Sequence, residues 1–317
     1  MDELLFPEDG TVLREDEDSP KDNSLTNKMV GIGKQFFRGE FGLSYLKDSG
    51  GQYVTMTDIK LLYMTLSRIR WSKEGNDFHV KLRRDEVCEL LNIENDHYAT
   101  FKLRRIGWHL ANVSWLKMNI RDKTGAVGFE DGFLVKGIGI EPGGINVIMR
   151  LNEDYRSIFE TLTDNKEFLL MWVNDIYKMR STASYLLYED LRLNSDTRKR
   201  NVRFYTDEHL KKVLRVPLKG KGSYMREIKK KMQFNRSMFE KKVLIPATKE
   251  IAECQMLFLV PQKVDLSFDE EGNLESLNNT SVFFRRIKEN GKVIGYEFEY
   301  VIMTRRKQIK QAELQEH

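Results

Sequence analysis

The sequence predicts an α+β chain made of two tandem copies of one small unit, each running helix, strand, helix, helix, β-hairpin. Three observations predict it. The 317 residues are long enough for about two domains with separate cores. A hydrophobic content of 40% with 11% aromatics supports packed interiors and argues against a disordered chain. One order of apolar periodicities occurs between residues 57 and 151 and returns between 181 and 302. The expected partition is an acidic disordered tail over 1–25, a first unit over 26–165, a second over 166–305, and a C-terminal tail over 306–317.

In the first copy TDIKLLYMTLSRI (57–69) has helical spacing and FHVKL (78–82) alternates as a short strand. RRDEVCELLNI (83–93) and HYATFKLRRIGWHLANV (97–113) read as two helices, the second turning Leu103, Ile106, Leu110 and Val113 inward. SWLKMNI (114–120), GFLVKGIGI (132–140) and INVIMRL (145–151) read as strands.

The second copy opens with a helix over STASYLLYEDLRL (181–193) and a strand over NVRFYT (201–206). DEHLKKVLRV (207–216) follows as a helix that Asp207 would cap, and MREIKKKMQF (225–234) is expected to be helical. In FEKKVLIPATKEI (239–251), Phe239, Val243, Ala247 and Ile251 would line one face of a helix that Pro246 kinks. MLFLVPQKV (256–264) and the hairpin 283–302 close the copy; Asn290-Gly291 is a two-residue turn signal, and Tyr296, Phe298, Tyr300 and Ile302 alternate after it. Val87, Leu90, Leu91 and Ile93 share their spacing with Leu210, Val213, Leu214 and Val216. This element order is the winged variant of the helix-turn-helix, in which the last helix enters the major groove and the hairpin reaches the flanking backbone.

Charge points the same way. The net charge of +4 conceals a tail, residues 1–22, with nine acidic and two basic residues. Between Arg198 and Lys242 sixteen Lys/Arg stand against four Asp/Glu, a net of +12 that favours a polyanionic partner. Nucleic acid is preferred over a membrane, because no run of 18 apolar residues, basic amphipathic anchor or lipidation motif accompanies the charge. The N-terminus lacks a signal-peptide pattern. Cys88 and Cys254, far apart within apolar patterns, are expected reduced in a cytoplasmic protein.

FEKKVLIPATKEI (239–251) resembles the most distinctive segment of the plasmid replication initiators of the Rep_3 (RepA/RepE-like) family. There a phenylalanine, a Val-Leu pair, a Pro-Ala and a Lys-Glu-Ile lie along the recognition helix of the second winged-helix domain. ASYLLYEDL (183–191) is similar to the stretch that opens that domain, and DEVCELLNIENDHYATFKLRRI (85–106) to a helix pair of the first. The similarity covers residues 55–303, with two departures: Leu186 stands where an arginine is usual, and an acidic insertion fills 266–280. The resemblance implies two tandem winged-helix domains that bind repeated sequences (iterons) at a plasmid origin, help open the duplex and recruit host initiator and helicase proteins. It also implies a homodimer formed through the first domain and repression of the protein's own promoter.

On that reading Lys241, Lys242 and Lys249 share one side of the second-domain helix and meet phosphates, while Arg236 and Ser237 sit at its N-terminus, Arg236 as the base reader. Arg198, Lys199 and Arg200, and likewise Lys229, Lys230 and Lys231, would grip the flanking backbone; Arg285, Arg286, Lys288 and Lys292 border the wing turn. Solvated surface charge and sheet-edge protection are the competing readings of these runs. Lys102, Arg104, Arg105 and His109 lie on the corresponding first-domain helix, which is thinner in charge and expected to share its surface with a partner.

Catalysis is not expected. None of His79, His97, His109, His209 and His317 form the His-x-His pair of a nicking initiator, and GIGK (31–34) and GKGS (220–223) fail the phosphate-loop pattern. No zinc-ligand spacing occurs, and Glu15, Asp16, Glu17 and Asp18 sit in the tail. No cofactor or metal is therefore expected. A transcriptional repressor and a DNA-nicking initiator are the alternatives.

Overall fold

A computed structural model describes residues 29–33, 40–41, 54–68, 78–121, 127–155, 168–195, 200–216, 225–228, 231–262 and 282–302, and it divides at Tyr177/Lys178 into two compact units. The two tails, Arg198, Lys199, Lys229, Lys230 and the acidic stretch 266–280 lie outside the described residues.

The first unit begins with β1 (Met29–Gly33) and β2 (Glu40–Phe41). Helix α1 (Met56–Ser67) starts in a capping box: Thr55 Oγ1 accepts from Asp58 N, and the Asp58 carboxylate accepts from Thr55 N at 2.7 Å. Its buried Leu61, Leu62, Tyr63 and Met64 form the centre of the core, each worth about 1.5–3 kcal/mol once removed from water. β3 (His79–Arg83), α2 (Arg84–Leu90) and α3 (Ala99–Val113) follow. β4 (Trp115–Arg121) and β5 (Val127–Phe133) pair as a hairpin that β2 edges; β6 (Val135–Ile140) and β7 (Asn146–Leu151) pair beside β3 in the order β3-β7-β6. β8 (Phe168–Trp172) pairs with β1 and leads into α4 (Val173–Lys178).

The expected single strand over 132–140 is thus the end of one strand and the start of another. Leu134 lies buried between β5 and β6, donating its N–H to Ser114 O at 2.9 Å, while Val135 N donates to Ser114 Oγ at 3.0 Å. One apolar run serves two sheets, because both faces of the break are buried.

In the second unit α5 (Thr182–Leu193) is capped by Ser181, and β9 (Arg200–Thr206) leads into α6 (Asp207–Val213). The cap of α6 is Thr206, whose hydroxyl accepts from His209 N at 3.2 Å; Asp207 is instead the first helical residue, where its charge still favours the helix N-terminus. Residues 225–234, expected to be helical, are a hairpin of β10 (Met225–Ile228) and β11 (Lys231–Phe234). Met225, Ile228 and Met232 fit a helical period, but Met232 and Phe234 also alternate. A ten-residue segment is too short for local propensity to decide, and the cross-strand partner wins.

The next helical run has three parts: α7 (Arg236–Phe239), a π turn (Glu240–Leu244) and α8 (Ile245–Ala252). Then come β12 (Leu257–Leu259), β13 (Arg285–Glu289) and β14 (Lys292–Ile302). β14 runs through the middle of its sheet, with β9 along one side and β13 then β12 along the other. Tyr296, Phe298, Tyr300 and Ile302 alternate inward and are all buried.

The shared spacing of the two copies has a structural counterpart. Asn92 and Arg215, each five residues after the buried Val87 or Leu210, both take the left-handed conformation (φ 54° and 50°) that ends α2 and α6. Ile93 N then donates to Cys88 O at 2.7 Å and Val216 N to Lys211 O at 2.9 Å, the six-to-one bond of a Schellman cap.

Candidate nucleic-acid interface

In the second unit Asn235 caps α7, its side chain accepting from Met238 N at 3.1 Å. The run from 236 to 252 then widens at the π turn, where Ile245 N reaches Glu240 O, five residues back. The widening fits the sequence: Pro246 has no N–H to donate, and its ring would press on the preceding turn of a regular α-helix. It also shifts the buried face. Phe239, Leu244, Ala247 and Ile251 are the residues turned into the core, with Leu244 in the place expected for Val243, which is only half-buried. The signal was present as the five-residue step from Phe239 to Leu244, an extra residue that a strict helical period does not accommodate.

Lys241, Lys242 and Lys249 are exposed on the outer side of this run, as is Ser237 at its start, and none of the three lysines pairs with a carboxylate among the described residues. Three exposed ammonium groups without an ion-pair partner among the described residues form a positive face.

The hairpin strand β13 is fastened to this helix. Glu240, buried inside the π turn, accepts a two-point hydrogen bond from Arg286 (3.0 and 2.6 Å) and a third from the Tyr296 hydroxyl at 2.9 Å. Burial and the Glu240 carboxylate together push the Tyr296 hydroxyl pKa upward. Arg236, expected to read bases, stands at the helix start but ion-pairs with Asp207 and donates to Val293 O at 2.8 Å. It braces α6, the helix and β14 rather than projecting outward, and its Nε and Asp207 Oδ1 find no partner among the described residues. Asp207 was expected only as a helix cap and Glu240 was not singled out at all, because a lone acidic residue in a basic segment reads as surface charge until the fold buries it.

At the hairpin turn, Asn290 and Gly291 both have positive φ (50° and 75°), the type I′ geometry expected of the pair. Lys288 and Lys292 flank the turn and are exposed. Arg285 pairs with Glu297 at 2.6 Å, and Arg200 on β9 pairs with Glu299, so both are engaged across the sheet. Lys231 opens β11, where the backbone alone is described.

In the first unit Leu103, Leu110 and Val113 of α3 are buried and Ile106 half-buried. His109 Nδ1 lies 3.0 Å from both oxygens of the buried Asp58, tying α3 to the start of α1. Gly107 lets α3 approach β6 closely: a Cβ there would meet Ile138 Cδ1 at 2.1 Å. Outward, Lys102 lies 3.8 Å from Asp96, while Arg104 and Arg105 are exposed. Tyr98, Phe101 and Trp108 are exposed beside them at 59%, 69% and 70%. Sequence reading passed over these aromatics, although they fall off the apolar stripe of the helix.

Among the described residues no cluster of three or more His, Cys, Asp or Glu side chains could hold a metal ion, and no helix is long and apolar enough to cross a membrane. Cys88 is buried and Cys254 half-buried, both as free thiols.

Residues 46–192 match the family model Rep3_N, described as Initiator Replication protein, WH1. Among solved structures the chain is similar to the crystal structure of Pi initiator protein in complex with iteron DNA, at 15% identity and a TM-score of 0.56, over 88% of this chain and 98% of that one. At that identity the likeness is one of fold. Two crystal structures of domains 2 and 3 of RctB are similar at 15% and 13% identity, over 78% and 80% of this chain and 80% and 83% of those. Their TM-scores of 0.41 and 0.36 are too low to add to the fold assignment. No curated protein matches the chain. The part of the chain from residue 46 to residue 192 is thus similar to the WH1 domain of initiator replication proteins.

Proposed function

We propose that the chain is a plasmid replication initiator that binds repeated duplex sequences at an origin, helps to open them and recruits host initiator and helicase proteins. The observation that carries this reading is the lysine face of residues 241–249, fastened to a charged hairpin in a chain whose residues 46–192 match a replication-initiator domain. In this reading both units are winged-helix domains. The run 236–252 is the recognition helix of the second and β13–β14 its wing; α3 and the β6–β7 turn hold those places in the first. The fold likeness to Pi initiator protein, solved with iteron DNA, supports repeats of that kind as the target.

Lys241, Lys242 and Lys249 neutralise phosphates, helped by Ser237 and the amides at the helix start. Lys288 and Lys292 carry the wing to the neighbouring backbone, and the basic runs 198–200 and 229–231 add further phosphate contacts. Arg236 reads a base after exchanging Asp207 for it. The protein acts as a non-catalytic binder without cofactor or metal, in the cytoplasm, dimerises through the first unit and represses its own promoter.

The test pairs footprinting on DNA flanking the coding region with an origin-opening assay containing host helicase factors. Protection at regularly spaced repeats together with strand opening is the expected result. Binding without opening would make the protein a repressor, and metal-dependent nicking of supercoiled DNA would make it an enzyme.

A further inference from the structure

The outer face of α3 differs in kind from the lysine face of the second unit. Tyr98, Phe101, Arg105 and Trp108 fall within about 80° of one another at 100° per residue, a stripe about 15 Å long. Each aromatic is more than half exposed, although burying such rings is favourable, so the stripe is an unpartnered apolar surface. Lys102, Arg104 and Arg105 are its charges, and residues 99–113 include no Asp or Glu. That combination suits a polyanion that also offers apolar groups. The face is held rigidly: His109 fixes α3 to Asp58, and Gly107 seats it against Ile138 of the strand that leads to the Gly143-Gly144 turn.

We propose that α3 is a thymine reader: Tyr98, Phe101 and Trp108 pack against C5-methyl groups in the major groove, while Arg104 and Arg105 take the adjacent phosphates. Of the four bases only thymine presents an apolar group there. A convex helical stripe of this length fits a groove about 12 Å wide, whereas unpaired bases stack within concave basic channels. The second unit then supplies salt-sensitive affinity, and the first supplies preference for T-rich sequence. This rests on the proposed function.

The experiment uses the full chain and a duplex selected by it from random-sequence DNA, then resynthesised with deoxyuridine in place of thymine, which removes only the methyl groups. The selected duplex should contain a T-rich segment, and the exchange in that segment should weaken binding about fourfold per methyl contacted. The Phe101→Ala/Trp108→Ala protein should bind the thymine duplex more weakly and respond to the exchange little or not at all. An unchanged affinity of the unmodified chain for the deoxyuridine duplex overturns the proposal with no variant needed. So does an equal response in the variant, unaltered DNA binding by the variant (a protein-docking face), or tighter binding of the T-rich single strand than of the duplex. Failure to select any duplex would instead sink the proposed function itself.

Discussion

The third helix of the first unit and the helical run of the second occupy the same place in their element order, yet they are fastened and finished differently. α3 is an unbroken helix, seated by a glycine against Ile138 and tied by His109 to a buried carboxylate. The run 236–252 is interrupted by a π turn whose own Glu240 is the anchor for Arg286 and Tyr296 of the hairpin. Outside, one presents aromatics with arginines and the other lysines. The frame common to both, down to the left-handed residues Asn92 and Arg215, constrains the core but leaves the outer helix surface free to differ. Each surface is fastened to its neighbouring strands by different chemistry, so each can be disabled separately.

The largest effect should come from the lysine face. Changing Lys241, Lys242 and Lys249 together to alanine should lower the slope of log affinity against log salt by about 3, with little effect on the folded state. Changing Arg104 and Arg105 should lower it by about 2 at most. Anisotropy titrations between 50 and 200 mM salt (about the range over which phosphate contacts dominate) give both numbers. Equal slopes for the two variants would erase the distinction between the units.

Next come the two fastenings. Glu240→Ala leaves the buried Tyr296 hydroxyl without its acceptor, while the half-exposed Arg286 can regain water, so a loss of about 2–3 kcal/mol is expected in urea unfolding. Wing contacts with DNA should weaken in the same variant. Gly107→Ala forces a methyl group onto Ile138 and should cost about 1–2 kcal/mol, recovered in part when Ile138→Ala is added. If the double variant is no more stable than Gly107→Ala alone, close seating on β6 is not what that glycine provides.

Another effect is a pH dependence confined to the second unit. Burial pushes the Glu189 carboxyl up to about 7, with Tyr185 and Arg215 offsetting it only in part. The folded chain therefore keeps a proton that the unfolded chain releases near 4.5, so this group makes stability fall as pH rises from about 4.5 to about 7. Glu189→Gln should flatten that interval in a series of unfolding curves. An unchanged slope would mean that the carboxyl ionises normally in the fold.

Several of these features were legible before any coordinates. The alternation after Asn290-Gly291 gave β14 and its turn, and the Val87 and Leu210 spacings gave the matching helix ends. The segments that misled were those in which two periods fit at once. Residues 225–234 satisfied a helix and a hairpin, and 132–140 hid a change of sheet at Leu134. β1, β8 and α4 passed unnoticed, since short strands paired with distant partners have little local pattern.

The sequence by itself determined most of the order of elements, the turn chemistry and the concentration of positive charge, because periodicity, backbone preference and net charge are carried locally by the residues. The tertiary structure alone decided that Glu240 is a buried anchor and Asp207 a half-buried one rather than surface charges, that the helix swells ahead of Pro246, and that Tyr98, Phe101 and Trp108 remain outside. Burial and pairing depend on residues far away in the chain, as Arg286 lies 46 positions from Glu240, and no local window contains both partners.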